Sequence, residues 1–170
     1  MPQLDSFAAA DFAEFPAVLT AAIEAAPMAG LGDGPEDPKL AEILRTDPLQ
    51  EVSSLTDLQR RLCTSGLWLL AGDLDRSHTL SQDISSAEGS FWHGIMHRRE
   101  GDFGNSKYWF RRVGEHPAFD VIAERAEGDY DDPDSFVDAC SRAKGESSER
   151  CQLAQWIEWQ TLMVHCLTNC

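Results

Sequence analysis

Residues 89–117 have the sequence GSFWHGIMHRREGDFGNSKYWFRRVGEHP. This segment contains three of the five histidines, two of the five tryptophans and five of the fourteen lysine and arginine residues of the chain. Its apolar residues recur at helical spacing on both sides of Gly101, which predicts two helices joined at that glycine. The inward-facing residues are expected to be Phe91, Trp92, Ile95 and Met96 in the first helix, and Ser106, Trp109, Phe110 and Val113 in the second.

The composition of the chain predicts one soluble globular domain covering residues 1–170. A length of 170 residues and a hydrophobic fraction of 42% are sufficient for a single core. The net charge of −15 argues against nucleic acid or an anionic membrane as a partner, because both are polyanions. Neither a secretory signal nor a membrane-spanning run is recognisable, so we expect a cytoplasmic protein with reduced thiols. Residues 1–50 are acidic and are expected to pack loosely.

The remaining segments show helical rather than strand periodicity. A stripe of leucines predicts a helix that begins after Ser54 and ends at Gly72, and a shorter helix is expected from Asp73 to about Ile84. Because no segment alternates with a period of two, the sequence predicts an all-α fold. Further helices are expected at about 11–26, 39–45, 117–127, 133–143 and 148–167.

A short repeat marks the two central helix pairs. The patterns Gly72-Asp-Leu-x-x-Ser77 and Gly101-Asp-Phe-x-x-Ser106 match, and each lies between two predicted helices. This arrangement predicts two successive antiparallel helical hairpins, each turning at Gly-Asp, with the flanking helices as caps. Over residues 55–117 the pair resembles tetratricopeptide or Sel1-like repeats. The resemblance implies that a partner binds on a concave surface of the hairpins.

The central segment also resembles a family of uncharacterised proteins. The shared pattern is a Trp-His pair followed by His-Arg-Arg-Glu-Gly-Asp, Asn-x-Lys-Tyr-Trp-Phe-Arg-Arg and His-Pro, and it extends here from Trp92 to Pro117. No activity is assigned to that family, so the resemblance implies no catalytic residue. It does imply that the polar residues of the segment form one functional unit.

The cationic residues of the segment predict a cleft for an anion. Guanidinium groups suit bidentate contacts with carboxylates and phosphates, and tryptophans can supply apolar walls. In this interpretation the protein is a small helical binding module for an anionic small molecule or an acidic peptide. The predicted ligand-binding residues are Trp92, His93, His97, Arg98, Arg99, Lys107, Tyr108, Trp109 and Arg111.

A second interpretation is a site for a divalent metal such as zinc. His93, His97 and Glu100 are four and three residues apart, which places them on one face of the first helix. Two imidazoles and a carboxylate can bind zinc, with His78 or His116 joining from a neighbouring helix. The bound metal would activate water in a hydrolytic enzyme, with an arginine stabilising developing charge.

A third interpretation is purely structural. The arginines can pair with Glu100, Asp102 and Glu115 and connect the two helices, and histidines beside tryptophans are often hydrogen-bonded core residues. Gly94 within a helix costs about 1 kcal/mol relative to alanine, which predicts close approach of a neighbouring helix or a ligand. The sequence leaves these three interpretations open.

Overall fold

A computed structural model describes residues 4–170, and this part of the chain contains only helices and their connections. The predicted all-α fold is confirmed for these residues. None of their helices is both long enough and apolar enough to cross a membrane. A short 3-10 helix at Asp11–Glu14 is followed by α1 Ala17–Ala25, α2 Pro38–Leu44, α3 Asp57–Ala71, α4 Leu74–Ser81, α5 Ala87–Glu100, α6 Phe103–Val113, α7 Pro117–Arg125, α8 Pro133–Arg142 and α9 Glu146–Asn169.

Most helices begin at a side chain that caps their free backbone N–H groups. Thr56, rather than the predicted Ser54, caps α3 and forms a capping box with Gln59. Aspartates cap α2, α4, α6 and α8, and Ser86 and His116 cap α5 and α7. These local signals explain why the predicted and observed helix bounds agree closely from α2 onwards, whereas the helix predicted at about 11–26 is divided at Phe15 and Pro16 into a 3-10 helix and α1.

Two Gly-Asp turns connect α3 to α4 and α5 to α6. Gly72 and Gly101 have φ values of 82° and 86°, a left-handed conformation that glycine adopts without steric cost. Asp73 and Asp102 follow them, and each accepts a hydrogen bond from the backbone N–H three residues later. The sequence repeat therefore corresponds to two matching turns. The likeness to tetratricopeptide packing stays a prediction.

The helices pack around one buried apolar cluster. α9 contacts α3, α7 and α8, while α5 lies against α3, α4 and α6. Residues that precede α3 also take part, since Phe12, Leu19, Ile23 and Leu40 are fully buried. The described part of residues 1–50 therefore contributes side chains to the same core.

Helix α5 is buried on all sides, although the sequence pattern predicted a single apolar face. Every residue from Gly89 to Arg99 is buried. The predicted close approach at Gly94 comes from α6, because a Cβ at that position would lie 3.1 Å from the ring of Phe110. The polar side chains of α5 consequently lie inside the protein, where they require internal partners.

Arg98 finds those partners on α9. Its guanidinium group is fully buried and donates hydrogen bonds to both carboxylate oxygens of Glu158, at 3.0 and 2.5 Å, and to the side chain of Gln155. The ring of Phe136 lies 4.6 Å from the guanidinium carbon. Glu158 is fully buried as well, so the pair connects α5 to α9 through the interior.

Arg99 bonds to backbone carbonyl groups instead of a carboxylate. It donates to the carbonyl oxygens of Leu69, Gly32 and Gly34, and its side chain is buried. Burial and the nearby charge of Arg98 lower the pKa of Arg99 to about 10, so the group stays charged at neutral pH. Arg99 therefore holds the loop between α1 and α2 against the end of α3.

Replacing Arg98 with alanine is expected to lower the free energy of unfolding by about 3–5 kcal/mol, because Glu158 would remain buried without its partner. The control is Arg111→Ala, since Arg111 is 67% exposed and pairs with Asp134 at 3.3 Å. Loss of such a surface pair costs at most about 1 kcal/mol. Urea denaturation measures both variants, and similar small losses in the two would contradict the structural role of Arg98.

Candidate functional site

Three histidines form a cluster between α4 and α5. His93 and His97 lie one turn apart on α5, and His78 lies on α4, which packs against α5. The three residues offer ring nitrogens that all lie within 4.8 Å of one another. The rings of His93 and His97 are stacked with centroids 4.7 Å apart, and His78 meets both edge-on. The cluster thus unites two predicted metal ligands with a histidine predicted to join them.

The hydrogen bonds of His97 determine which of its nitrogens carries the proton. Nδ1 lies 2.5 Å from a carboxylate oxygen of Glu100, which accepts, so Nδ1 is the donor. The amide nitrogen of Asn105 lies 3.1 Å from Nε2 and 3.5 Å from Nδ1 of this ring, so it contacts the ring from the side and leaves the in-plane lone pair of Nε2 free. A free lone pair on one nitrogen and a carboxylate bonded to the other are typical of a metal-binding histidine.

His93 has no hydrogen-bond partner at either ring nitrogen in the described part of the chain. Its side chain is 2% exposed. Trp109 of α6 stacks on the imidazole at a centroid distance of 3.9 Å and so holds the ring in position. Burial, together with the imidazoles of His97 and His78, lowers the pKa of His93 to about 3, and the ring is therefore neutral at pH 7.

His93 differs from the other buried polar side chains of residues 4–170. Trp92, Arg98 and Tyr130 each have one buried nitrogen or oxygen without a partner, whereas His93 has two. Trp92 fills the core so tightly that a Cβ on Gly66 would lie 2.6 Å from its ring. An unsatisfied buried polar group lowers the free energy of unfolding by about 1–3 kcal/mol. In His93 both ring nitrogens, the donor and the acceptor, are unsatisfied.

The spacing of the histidine cluster approaches that of a metal site. With zinc–nitrogen bonds of about 2.0–2.1 Å, two ligands of a tetrahedral ion lie about 3.3 Å apart. The ring nitrogens of the three histidines now lie within 4.8 Å of one another and would have to come closer together to reach this spacing when an ion binds. His78 is partly exposed, which gives an ion access from α4. Glu100, a predicted third ligand, groups with His97 and Asp102 instead.

The predicted cationic residues do not converge on one cleft. Arg98 and Arg99 are buried and bonded to protein atoms. Lys107 and Arg111 each pair with an aspartate of α8, at 2.8 and 3.3 Å respectively. All four cations are therefore engaged in connections between helices.

The three aromatic residues predicted to line the cleft have different surroundings. Trp92 is fully buried in the core, and Trp109 covers His93. Tyr108 is 50% exposed, with the guanidinium carbon of Arg112 lying 5.9 Å from its ring centroid. Trp109 is thus the residue of these three whose ring stacks on the histidine cluster.

A second cluster joins α5, α7 and α9. One carboxylate oxygen of Glu88 lies 3.3 Å from Nε2 of His116 and 3.3 Å from Nε2 of His165. Nδ1 of His116 accepts a hydrogen bond from the backbone N–H of Ala118, so its Nε2 carries a proton and donates to Glu88. That nitrogen has no lone pair for a metal, and the cluster is therefore a hydrogen-bonded junction.

Asn105 contacts the histidine cluster, although it was not among the candidate residues predicted from the sequence. Asn105 and Trp109 are four residues apart on α6, and they contact His97 and His93, which are four residues apart on α5. This matching spacing on two adjacent predicted helices is the signal that could have identified it. Glu88 and His165 offered no comparable signal, because nothing in the sequence links such distant residues.

No protein-family model, curated protein or solved structure matches this chain. The resemblances noted from the sequence therefore stay predictions, and the interpretation of the site depends on the chemistry of its own residues.

The Glu88 junction is expected to make stability depend on pH. Hydrogen bonds from His116 and His165 hold the pKa of Glu88 well below its usual range, and the bond to Glu88 raises the pKa of His165. Because the pKa of His165 is higher in the folded than in the unfolded protein, its bond to Glu88 stabilises the fold fully below about pH 6.5. This stabilisation is lost as the pH rises through the pKa of His165 in the folded protein. Glu88 stays ionised over this range.

His165→Gln is therefore expected to lower the free energy of unfolding more at about pH 6 than at about pH 9. Urea denaturation of the wild-type protein and the variant at both pH values measures this difference. An equal effect at the two pH values would show that His165 does not titrate as part of the junction.

Proposed function

We propose that the protein binds a divalent transition-metal ion through His78, His93 and His97. The observation that carries this proposal is the buried imidazole of His93, which lies beside two other imidazoles and whose two nitrogens have no hydrogen-bond partner among residues 4–170. Coordination of an ion by one of these nitrogens would use a bonding capacity that no protein group uses. Zinc is the expected ion, because imidazole is among its preferred ligands.

The surroundings of the cluster favour a metal ligand role. Histidine ligands usually donate their second N–H to a carboxylate, and Glu100 accepts such a bond from His97. Trp109 restricts the ring of His93, which lowers the entropy lost when the ion binds. The net charge of −15 raises the local concentration of cations around the protein.

The interpretation as an anion-binding cleft has less support. Arg98 and Arg99, which would contact an anion, donate their hydrogen bonds to buried protein groups. Hydrolysis would require water on the metal, and three histidines leave one tetrahedral position for it. The group that fills this fourth position therefore distinguishes a catalytic site from a structural one.

The test is the variant His93→Phe, which keeps a ring against Trp109 and removes both nitrogens. Without metal the variant is expected to be about 1–3 kcal/mol more stable than the wild-type protein, because two unsatisfied buried nitrogens are lost. With zinc at about 100 times its dissociation constant, the wild-type protein should gain about 2.7 kcal/mol. The variant should gain none. Urea denaturation of the wild-type protein and the variant, each with zinc and with a chelator, gives the four free energies of unfolding.

The matched control is His165→Phe, which removes a histidine of the other cluster and should leave zinc binding unchanged. Isothermal titration calorimetry on untagged protein gives the stoichiometry, expected to be one zinc ion per chain. Binding of less than a tenth of an equivalent by the wild-type protein would contradict the proposal, as would equal binding by the wild-type protein and His93→Phe.

A further inference from the structure

We propose that a groove between α3, α4 and the chain that follows α2 binds a small polyanion, a molecule with two or more phosphate or carboxylate groups. The groove has a volume of about 600 Å³. It lies apart from the histidine cluster, none of whose residues lines it, so this proposal goes beyond the proposed function. The charged residues that line the groove are Arg45, Asp47, Asp57, Arg60, Arg61 and Arg76.

The charge of the groove is opposite to that of the chain as a whole. Four arginines and two aspartates line it, whereas the chain has 29 acidic and 14 basic residues and a net charge of −15. A cationic groove attracts small anions locally, while the acidic surface around it repels a large polyanion such as nucleic acid. Its volume lies in the range of about 300–1,000 Å³ that is typical of small-molecule sites. The groove therefore fits a small polyanion better than a nucleic acid.

The helical hairpin of α3 and α4 places arginines toward both ends of the groove. On α3, Arg61, Thr64 and Trp68 are three and four residues apart and share one face. The guanidinium carbon of Arg76 on α4 lies 4.8 Å from the ring centroid of Trp68, and Arg61 donates to the carbonyl oxygen of Asp83 after the end of α4. Seven residues of an α-helix measure about 10 Å, so the two arginines are positioned for separate anionic groups of one ligand.

Three of the four arginines keep unused hydrogen-bond donors. A guanidinium group has five N–H donors. Within residues 4–170, Arg61 donates one hydrogen bond, at 3.3 Å to Asp83. Arg76 is 53% exposed and pairs with Asp73 at 3.2 Å, and the exposed side chain of Arg45 has no partner in the described part of the chain. Such free N–H groups suit bidentate contacts with phosphate or carboxylate oxygens.

Arg60 has a structural role in the groove. It donates to a carboxylate oxygen of Asp57 at 2.8 Å and to the carbonyl oxygens of Leu49 and Val52 at 3.2 and 3.1 Å. Its side chain is 20% exposed. These bonds hold the segment between α2 and α3 against α3 and so fix one wall of the groove.

The experiment measures binding of inorganic triphosphate and of citrate by isothermal titration calorimetry. Metal-free protein is used, so that no ion at the histidine cluster can hold the probe, and the ionic strength is low because salt screens exposed charges. The wild-type protein should bind at least one of the two probes at least tenfold more tightly than orthophosphate, which offers a single anionic group. The tighter of the two identifies phosphate or carboxylate as the preferred group.

The double variant Arg61→Gln, Arg76→Gln should bind that probe at least tenfold more weakly than the wild-type protein. The matched control, Arg111→Gln, Arg112→Gln, removes the same amount of charge from α6 and should bind within twofold of the wild-type protein. Arg61→Gln alone removes a single hydrogen bond to a backbone carbonyl and should weaken binding at least threefold, which keeps the test decisive if the double variant does not fold. Circular dichroism shows which variants are folded.

Three results would overturn the proposal. The first is no binding of either probe by the wild-type protein at about 1 mM. The second is binding of orthophosphate as tight as that of the polyanions. The third is an equal loss of affinity in the two double variants, which would show attraction by charge alone. None of these results concerns zinc binding by the histidines, so failure here is distinct from failure of the proposed function.

Discussion

Helix α5 is surrounded by α3, α4 and α6, so every side chain from Gly89 to Arg99 has to be compatible with a dry interior. An apolar sequence meets this constraint easily, but this one contains two histidines and two arginines within seven residues. Transfer of an unpaired charge or polar group into such an interior is costly. The other helices therefore have to supply partners for α5, and the arrangement of those partners accounts for much of the fold.

The constraint is met differently at each position of α5. Arg98 receives a buried carboxylate from α9, and Arg99 receives backbone carbonyl groups from α3 and the loop before α2. His97 receives Glu100 and Asn105. His93 is stacked against the ring of Trp109 but has no hydrogen bond from its ring nitrogens within the part of the chain that the structure describes. Arg98 and Trp92 of α5 each keep one unpaired buried nitrogen, whereas both ring nitrogens of His93 are unpaired among the described residues.

Local features of the fold were predictable, whereas the partners of the buried polar groups were not. Glycine favours the left-handed conformation at a helix end, so Gly72 and Gly101 predict turns, and the aspartates that follow them predict helix starts. The all-α fold and the hairpin turns could therefore be predicted from short-range rules. The burial of Arg98 depends on Glu158, which lies on another helix far along the chain, and no periodicity relates the two. Similarly, the spacing of His93 and His97 suggested a shared site, but only the packing of α4 shows that His78 lies beside them while Glu100 takes an outer position.

The central claim concerns a metal ion between α4 and α5, and the most direct test is to locate one. Crystals grown with one equivalent of zinc, with diffraction recorded on both sides of the zinc absorption edge, would reveal the ion by its anomalous signal. The account predicts one strong peak about 2.0–2.1 Å from a ring nitrogen of each of His78, His93 and His97. A peak at the Glu88 junction instead, or no peak above background between α4 and α5, would contradict it.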